Sequence, residues 1–191
     1  MSKSATAAGV LLAAGAGTRY GMPKVLADGG RWLRACVTAL VDGGCDDVVV
    51  VLGAAVVDVP APARAVVAQD WEQGLSASVR AGVNAIAASY VVLHAVDTPD
   101  VGADAVRRVL DAARSSVSGL ARARYGDRLG HPVVIARRYW PDLLAELHGD
   151  EGGWPKPSTR NRRCSTGFRQ LPAEQRAGDA RQRWRDAVAP A

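Results

Sequence analysis

Three glycines and two cations lie close together near the start of the chain, directly after an apolar segment. Gly15, Gly17 and Gly21 alternate with Arg19 and Lys24 in the run LLAAGAGTRYGMPK. Glycine lets backbone N–H groups converge on one ligand, and fixed positive charges beside them favour an anion. We therefore predict that this loop binds a phosphate-bearing ligand, and a polyphosphate suits its two cations best.

Two common phosphate-binding loops do not fit this run. A Walker A loop needs Lys directly after its second glycine, and Met22 stands there. A dinucleotide-binding GxGxxG loop needs glycine where Tyr20 stands, and Pro23 stops a helix from opening at once. The second predicted strand ends at Leu52 and Gly53 without the acid that would hold a ribose. A simple glycine-rich turn would leave both cations without a role.

The loop instead resembles the signature of a nucleotidyltransferase family, the one that includes molybdenum cofactor cytidylyltransferase and guanylyltransferase. The similarity begins with the pattern LAAGxGxRxGxPK. Four further segments resemble landmarks of the same family and follow in the same order. They are WEQGLSASVRAG (Trp71–Gly82), VDTPDV (Val96–Val101), GHPVVI (Gly130–Ile135) and HGDEG (His148–Gly152). Together the five segments span about four-fifths of the chain, which makes the resemblance specific.

The resemblance implies transfer of a nucleoside monophosphate from a nucleoside triphosphate to a phosphate monoester, with release of pyrophosphate. Backbone N–H groups of the loop would cradle the β- and γ-phosphates. Arg19 and Lys24 would offset their charge, with Lys24 also stabilising the transition state, and Asp97 would hold Mg²⁺. The implied nucleotide-binding residues are Leu12, Ala13, Ala14, Gly15, Ala16, Gly17, Thr18, Asp70, Gly74, Ser76 and Ser78.

The base and the acceptor also follow from the resemblance. Ala13-Ala14 is the pair found in the cytidylyl enzymes, whereas the guanylyl enzymes tend to carry Ala-Gly, so CTP is favoured over GTP. Asp70 or Gln73 would contact the base edge. The acceptor would be a molybdopterin-type cofactor, with His131 touching it, and a molybdoenzyme is a possible protein partner.

Several of these residues also have purely structural alternatives. Asp97 could cap a turn or the next helix, because Asp before Thr-Pro is a good turn former. Ser76 and Ser78 could be ordinary residues of a helix N-terminus. His94 lies inside a predicted strand and is interpreted as a core histidine, and Trp71 and Trp140 as packing residues.

The elements that position these residues alternate between strand and helix. Strands are predicted over 8–13, 47–52, 64–68 and 90–96, and helices over 31–42, 75–88, 103–114 and 139–147. Segments 118–124 and 132–136 are predicted to pair across a turn at 126–130. This pattern predicts an α/β, three-layer, Rossmann-like nucleotidyltransferase fold: a mostly parallel sheet with helices on both faces and a small antiparallel addition. Ligands then bind at the carboxyl ends of the strands, where the glycine loop and Asp97 both fall.

Composition excludes several other classes. The chain of 191 residues carries a net charge of +5, but residues 1–151 hold 15 Lys and Arg against 16 Asp and Glu, and residues 152–191 hold 9 against 3. The body therefore has no basic stripe, and we expect no nucleic-acid partner. No apolar run is long enough for a membrane span and no signal peptide is evident, so a cytoplasmic protein is expected. Cys36, Cys45 and Cys164 show no metal-ligand spacing and are expected to be idle thiols.

The chain changes character after Gly152. We expect a nucleotidyltransferase domain over 1–152 and an atypical basic tail over 153–191. The family pattern continues with an acidic turn of the DIDTP type that helps hold metal, and no such turn follows here. Asp150, Glu151 and Asp179 are alternative acids, and the spacing selects none of them. We interpret the tail as translation in a shifted reading frame of GC-rich DNA, and a natural basic tail is the alternative.

Two further functions stay open at this point. One is a nicotinamide- or flavin-linked oxidoreductase, because an oxidoreductase is also known to carry this domain. The other is a non-catalytic, nucleotide-binding factor in molybdenum-enzyme maturation, which would suit a chain that lacks the second metal acid.

Overall fold

A computed structural model describes residues 5–148 of the chain. Its six strands are β1 (Ala7–Leu12), β2 (Asp47–Leu52), β3 (Arg64–Val67), β4 (Tyr90–Ala95), β5 (Leu120–Tyr125) and β6 (Arg128–Ala136). Its four helices are α1 (Ala27–Asp42), α2 (Leu75–Asn84), α3 (Ala103–Ser115) and α4 (Trp140–Glu146). The expected alternation of strand and helix is therefore confirmed.

The six strands form one sheet in the order β3-β2-β1-β4-β6-β5. The first four strands of that order run parallel, with Val10 opposite both Val49 and Leu93. β6 runs antiparallel to β4 and to β5, so the last two strands are the small antiparallel addition. The predicted α/β class and mixed, mostly parallel sheet are thus confirmed.

Apolar side chains cover both faces of the sheet, which is why β1, β2 and β4 are buried almost throughout. On one face, α1 and α3 pack against the sheet with Leu33, Leu40 and Leu110. On the other face, α2 and α4 supply Val79, Val83, Trp140 and Leu143. The burial of Trp140 confirms its expected packing role.

The end of α2 and the start of β6 each lie four residues from the position expected from the sequence. α2 ends at Asn84 rather than at residue 88. The prediction was too long because Ile86 and Ala88 are apolar residues buried in the connection to β4, and their spacing is also that of a helix. β6 begins at Arg128 rather than at residue 132, since Leu129 pairs with Arg124 in the ladder despite its exposed side chain. The hairpin turn is therefore shorter than the glycines suggested.

The start of α1 contains an irregular turn. Asp28, Gly29 and Gly30 have φ angles of 50°, 59° and 79°, so regular helix begins at about Arg31, as predicted. Asp28 is the non-glycine residue with positive φ in the described part of the chain. No helix within residues 5–148 is long and apolar enough to cross a membrane.

Candidate active site

The loops that follow β1 and β4 begin at the same edge of the sheet, at the point where the strand order reverses. β2 and β3 lie on one side of β1, and β4 lies on the other side. Loops after two such neighbouring strands separate and leave a crevice, which is where open α/β sheets bind ligands. The glycine loop follows β1 and Asp97 follows β4 directly. The topology therefore brings both sequence-predicted features to one crevice.

The base of the glycine loop is fixed to its neighbours by backbone hydrogen bonds. The N–H of Ala13 donates to Val51 O at 3.0 Å, and the carbonyl of Ala14 accepts from the N–H of Ala54 at 2.9 Å. Leu12 O accepts from the N–H of Val96 at 3.1 Å. These three residues are buried, with Leu12 the most exposed at 7%. Any direct contact that they make with a nucleotide must therefore come mainly from their backbone.

The upper part of the loop turns sharply at Gly17. Its carbonyl accepts hydrogen bonds from the N–H groups of Tyr20 at 2.8 Å and Gly21 at 2.9 Å. Gly17 has a φ of 64°, and a Cβ there would collide with the carbonyl oxygen of Met22. Glycine is therefore required for both the conformation and the space. Gly15, Thr18 and Arg19 are exposed, and Ala16 is half-buried, so this part of the loop faces solvent.

Lys24 and Asp97 meet across the crevice. Nζ of Lys24 donates to Oδ2 of Asp97 at 2.8 Å, although the residues are 73 positions apart in sequence. Their side chains are 35% and 42% exposed, so a ligand can reach both. The helix that follows, α3, has Gly102 at its N-cap and no side-chain cap. The alternative that Asp97 caps this helix is therefore wrong.

The N-terminus of α2 lies at the same edge of the sheet, because α2 follows the carboxyl end of β3. Gly74 begins this helix with a φ of 104°, and Ser76 and Ser78 lie in its first turn, 6% and 5% exposed. Asp70 and Gln73 precede the helix and are exposed. The structure thus brings the Trp71–Gly82 segment near the loop. The geometry within residues 5–148 is compatible both with a nucleotide-binding role and with a structural role for these side chains.

Trp71 packs where the glycine loop after β1 meets the loop after β2. A Cβ added to Gly53 would lie 2.6 Å from Cγ of Trp71 and 2.8 Å from Cβ of Ala14. Gly53 therefore permits the close packing of Trp71 beneath the glycine loop. Trp71 has the packing role expected of it, whereas the need for Gly53 was missed, although a glycine directly after the VVVVL strand was a visible signal.

The acids near the crevice suit a divalent cation that also binds phosphate. Within residues 5–148 no group of three or more His, Cys, Asp or Glu side chains could hold a metal by itself. Mg²⁺ is usually bound by one or two carboxylates together with substrate phosphates and water. Asp97, open to solvent beside a phosphate-type loop, fits that mode. Asp150, Glu151 and Asp179 lie outside the described residues.

Two histidines lie behind Asp97. The His94 ring is fully buried, and neither ring nitrogen has a hydrogen-bond partner within residues 5–148. Burial, together with the nearby His131, lowers the pKa of His94 to about 3, although Asp97 acts in the opposite direction. The expected core location of His94 is confirmed. The His131 ring centroid lies 6.2 Å away in an edge-to-face arrangement.

Cys36 and Cys45 are buried free thiols. Burial, assisted by Asp97 and Asp100, raises the pKa of Cys36 to about 12. Burial and Asp46 raise the pKa of Cys45 to about 12, against a smaller effect of Arg114. Both thiols therefore stay protonated at neutral pH, as expected of idle cysteines, while Cys164 lies outside the described residues.

Comparison with known proteins identifies the domain. Residues 9–165 match the MobA-like NTP transferase domain. This chain belongs to that family. The resemblance drawn from the five segments is therefore confirmed, and the chain has the fold and domain of a nucleotidyltransferase. The match runs past residue 152, so the proposed boundary at 152/153 stays a prediction.

Three members or neighbours illustrate the range of this fold. Nicotine blue oxidoreductase of Paenarthrobacter nicotinovorans is 39% identical over 159 residues, covering 75% of this chain and 78% of that protein. Crystal structures of Rv0371c from Mycobacterium tuberculosis include one 27% identical, with a TM-score of 0.68 over 97% of this chain and 99% of that one. Another is a complex with manganese, 26% identical, with a TM-score of 0.63 over 96% and 100%.

A more distant neighbour shows the fold alone. It is 2-C-methyl-D-erythritol 4-phosphate cytidylyltransferase from Thermus thermophilus. It is 22% identical to this chain and has a TM-score of 0.51 over 98% of this chain and 86% of that one. This likeness carries the fold and nothing about the acceptor of this chain.

Proposed function

We propose that this nucleotidyltransferase transfers CMP from CTP to the phosphate of a molybdopterin-type acceptor in a Mg²⁺-dependent reaction. The observation that carries the proposal is the pairing of Lys24 with Asp97 across the crevice, 2.8 Å apart. It places one cation and one carboxylate beside a glycine loop whose exposed part faces solvent. This is the charge arrangement that a nucleoside triphosphate with a divalent cation requires.

In this reaction an oxygen of the acceptor phosphate attacks the α-phosphorus of CTP. The bond between the α-phosphorus and the bridging oxygen breaks, and pyrophosphate leaves with that oxygen and its electron pair. The new product is a phosphoanhydride. Catalysis of this kind depends on positioning and on neutralising negative charge. Each proposed residue serves one of these two purposes.

The glycine loop would bind the β- and γ-phosphates through backbone N–H groups between Ala14 and Thr18. Arg19, exposed on the loop, would neutralise the leaving pyrophosphate. Lys24 would move from Asp97 to the α-phosphate, where its charge stabilises the transition state. Asp97, released from Lys24, would bind Mg²⁺, which as a Lewis acid lowers the barrier to attack when it is bound.

The preference for cytosine is proposed from Ala14. Its methyl group lies beside Gly53 at the base of the loop, 2.8 Å from where a Cβ on Gly53 would stand. Glycine at this position would remove that methyl and leave more room there. We therefore expect Ala14→Gly to move the ratio of CTP to GTP affinity towards GTP. Unchanged affinity for both nucleotides would contradict the role of Ala14. Contacts of Asp70, Gly74, Ser76 and Ser78 with the nucleotide belong to the same proposal.

The test measures nucleotide binding and turnover separately. Thermal unfolding is recorded with CTP, GTP or NADPH, each with and without Mg²⁺. A ligand at 100 times its dissociation constant adds about 2.7 kcal/mol, roughly 5–10 °C for a chain of this size. Pyrophosphate release is then followed with CTP, Mg²⁺ and molybdopterin. We expect CTP to give the largest shift and pyrophosphate to appear only with the acceptor.

Asp97→Ala is the decisive variant. It should abolish metal-dependent pyrophosphate release and keep the unfolding temperature within a few degrees, because the side chain is exposed. Asp104→Ala is the matched control, since Asp104 forms an exposed ion pair with Arg107 on α3. Unchanged turnover in Asp97→Ala would show that the metal assignment is wrong.

A second candidate function is a nicotinamide- or flavin-linked oxidoreductase. The specific observation in its favour is the 39% identity to nicotine blue oxidoreductase. The absence of an acid at the end of β2, where Leu52 is followed by Gly53, argues against a dinucleotide ribose at that position. A thermal shift with NADPH and none with CTP would favour this candidate. Binding of CTP without pyrophosphate release would instead favour a non-catalytic maturation factor.

A further inference from the structure

His131 lies at the start of the buried part of β6, beside the end of β4. Since β6 is antiparallel to β4, its first residues reach the edge of the sheet that carries Asp97. Asp97 affects the pKa of His131, so the two side chains lie within electrostatic range. His131 is thus placed next to the reaction centre and not in the interior of the sheet.

One hydrogen bond fixes the tautomer of His131. Its Nδ1 lies 3.3 Å from the carbonyl oxygen of Leu93 on β4. A carbonyl oxygen only accepts hydrogen bonds, so Nδ1 must carry the proton. In the neutral ring the lone pair is then on Nε2. The ring therefore presents a hydrogen-bond acceptor on its other side.

The surroundings of His131 keep the ring neutral. Burial lowers its pKa, and the cation of Arg122 acts in the same direction. The hydrogen bond to Leu93 and the charge of Asp97 raise the pKa of His131, but these two effects are smaller, and the pKa stays below its usual value. His94, the nearest ring, is itself uncharged at neutral pH. At pH 7 the ring is therefore uncharged.

The backbone that carries the His131 ring is held by hydrogen bonds and close packing. Oη of Tyr125 donates to the His131 carbonyl at 2.7 Å, and Nε of Arg122 donates to the Gly130 carbonyl at 3.1 Å. A Cβ on Gly130 would lie 2.7 Å from the Tyr125 ring, so the hairpin is tightly packed there. The His94 ring packs edge-to-face against His131. Such support is what a preorganised binding group needs.

The Nε2 atom of His131 remains available to a ligand. Within residues 5–148, two side-chain polar atoms are inaccessible to solvent and have no hydrogen-bond partner. They are the ring nitrogens of His94. Nε2 of His131 is not one of them and has no hydrogen bond in this part of the chain, so this atom of a half-buried residue keeps some solvent-accessible surface. A positioned lone pair with some accessible surface thus lies at the edge of the sheet that carries Asp97.

Building on the proposed function, we propose that Nε2 of His131 accepts a hydrogen bond from an N–H or O–H group of the acceptor substrate. The substrate class is then a phosphate monoester that carries a hydrogen-bond donor near its phosphate, as pterins and polyols do. An unprotonated phosphate oxygen would be repelled by the Nε2 lone pair, because both atoms are hydrogen-bond acceptors. His131 is on this basis a specificity-determining residue that excludes phosphate monoesters lacking a donor.

The experiment compares two short acceptors of equal chain length. Glycerol 3-phosphate carries hydroxyl donors, and propyl phosphate carries none. Each is tested with CTP and Mg²⁺ as an acceptor, and its binding to the protein with CTP and Mg²⁺ is measured directly by thermal shift. We expect glycerol 3-phosphate to bind about tenfold more tightly than propyl phosphate, which is the effect of one good hydrogen bond.

Variants at position 131 show whether His131 causes the preference. His131→Phe should bring the ratio of the two affinities close to one and leave CTP binding by thermal shift unchanged. His131→Gln, whose amide oxygen can accept a hydrogen bond, should restore part of the preference. Leu129→Ala is the matched control, because Leu129 is an exposed residue of the same hairpin. It should behave like the wild type.

The outcomes separate this inference from the proposed function. Equal binding of the two acceptors by the wild type, or an unchanged ratio in His131→Phe, overturns the role of His131. A wild type that shows no thermal shift with CTP overturns the nucleotidyl transfer itself. If CTP binds and molybdopterin receives no CMP, the named acceptor is wrong, and the comparison of the two short phosphates still decides whether His131 selects a donor.

Discussion

Nζ of Lys24 and Oδ2 of Asp97 lie 2.8 Å apart, on loops that leave two adjacent parallel strands. The pair spans the crevice at the point where the strand order reverses. Both side chains are partly exposed, so the pair contributes at most about 1 kcal/mol to the stability of the fold. Under the proposed function the pair has a further consequence, because Lys24 would compete with a metal ion for Asp97, and Asp97 would compete with a phosphate for Lys24.

Replacing Lys24 should change metal and nucleotide affinities in opposite directions. Lys24→Met removes the cation that competes for Asp97, so Mn²⁺ should bind roughly two- to fivefold more tightly without nucleotide. The same variant should bind CTP with Mg²⁺ about tenfold or more weakly, because a charge-assisted contact with phosphate is lost. Titration calorimetry measures both affinities.

The control for this variant lies at the opposite edge of the sheet. Arg64 pairs with Asp47 at 2.9 Å, at the amino ends of β3 and β2. Arg64→Met should leave both affinities unchanged. Weaker binding of Mn²⁺ to Lys24→Met would contradict the competition between Lys24 and a metal for Asp97.

Two glycines of the loop should respond very differently to substitution. Gly17→Ala places a Cβ against the Met22 carbonyl at a φ of 64°, and it should cost about 1–3 kcal/mol and weaken CTP binding. Gly15→Ala meets nothing within 4 Å and should change stability by less than about 0.5 kcal/mol. Urea unfolding of the two variants tests this difference, and similar losses in both would refute it.

Acid should destabilise the protein through His94. Its folded pKa of about 3 lies below the usual value of 6.5, so the unfolded chain binds a proton that the folded chain does not. Stability is therefore complete above pH 6.5 and falls as the pH drops, by about 2 kcal/mol at pH 5 from this group.

The variant His94→Leu isolates this contribution. At pH 7 it should be at least as stable as the wild type, because it removes two buried nitrogens without partners. Between pH 7 and pH 5 it should lose about 2 kcal/mol less than the wild type, since only the smaller effect of His131 remains at this site. Denaturant unfolding at both pH values measures the difference. Equal losses in the two proteins would contradict the assignment.

The thiols of Cys36 and Cys45 should be unreactive in the folded protein. A pKa of about 12 leaves roughly one thiolate in 10,000 at pH 8, and burial blocks access. In the variant Cys164→Ser, an aromatic disulfide reagent should label neither cysteine of the folded chain at pH 8 and both in urea. Rapid labelling without denaturant would show that one of them is accessible.

Much of the architecture could be predicted because it depends on local pattern. The VVVV run of β2 has the bounds expected for it, since a strand buried on both faces is apolar at every position. Boundaries were predicted less well where burial and secondary structure disagree. Ile86 is buried outside a helix, and Leu129 is exposed inside a strand, because tertiary contacts and not periodicity decide those positions.

The candidate site shows the same division. Gly17 and Lys24 were identified from residue type and spacing alone, because a phosphate-binding backbone needs glycine and charge in one short segment. The position of Gly53 after a strand was visible in the sequence, but its contact with Trp71 could not be predicted, since it joins loops from different strands. Nor was the contact of His94 with His131, because register between β4 and β6 is set by pairing across the sheet.

The sequence by itself determined the order of strands and helices along the chain and the family, and it predicted the anion-binding loop, because each depends on short runs of residues. Only the tertiary structure decided that Lys24 and Asp97 meet, that His94 has no hydrogen-bond partner within residues 5–148, and that the Nδ1 of His131 faces Leu93 and leaves Nε2 as the acceptor. The physical reason is that these relationships depend on which strands become neighbours. Strand order follows from how the whole chain buries its apolar faces, and no single segment encodes it.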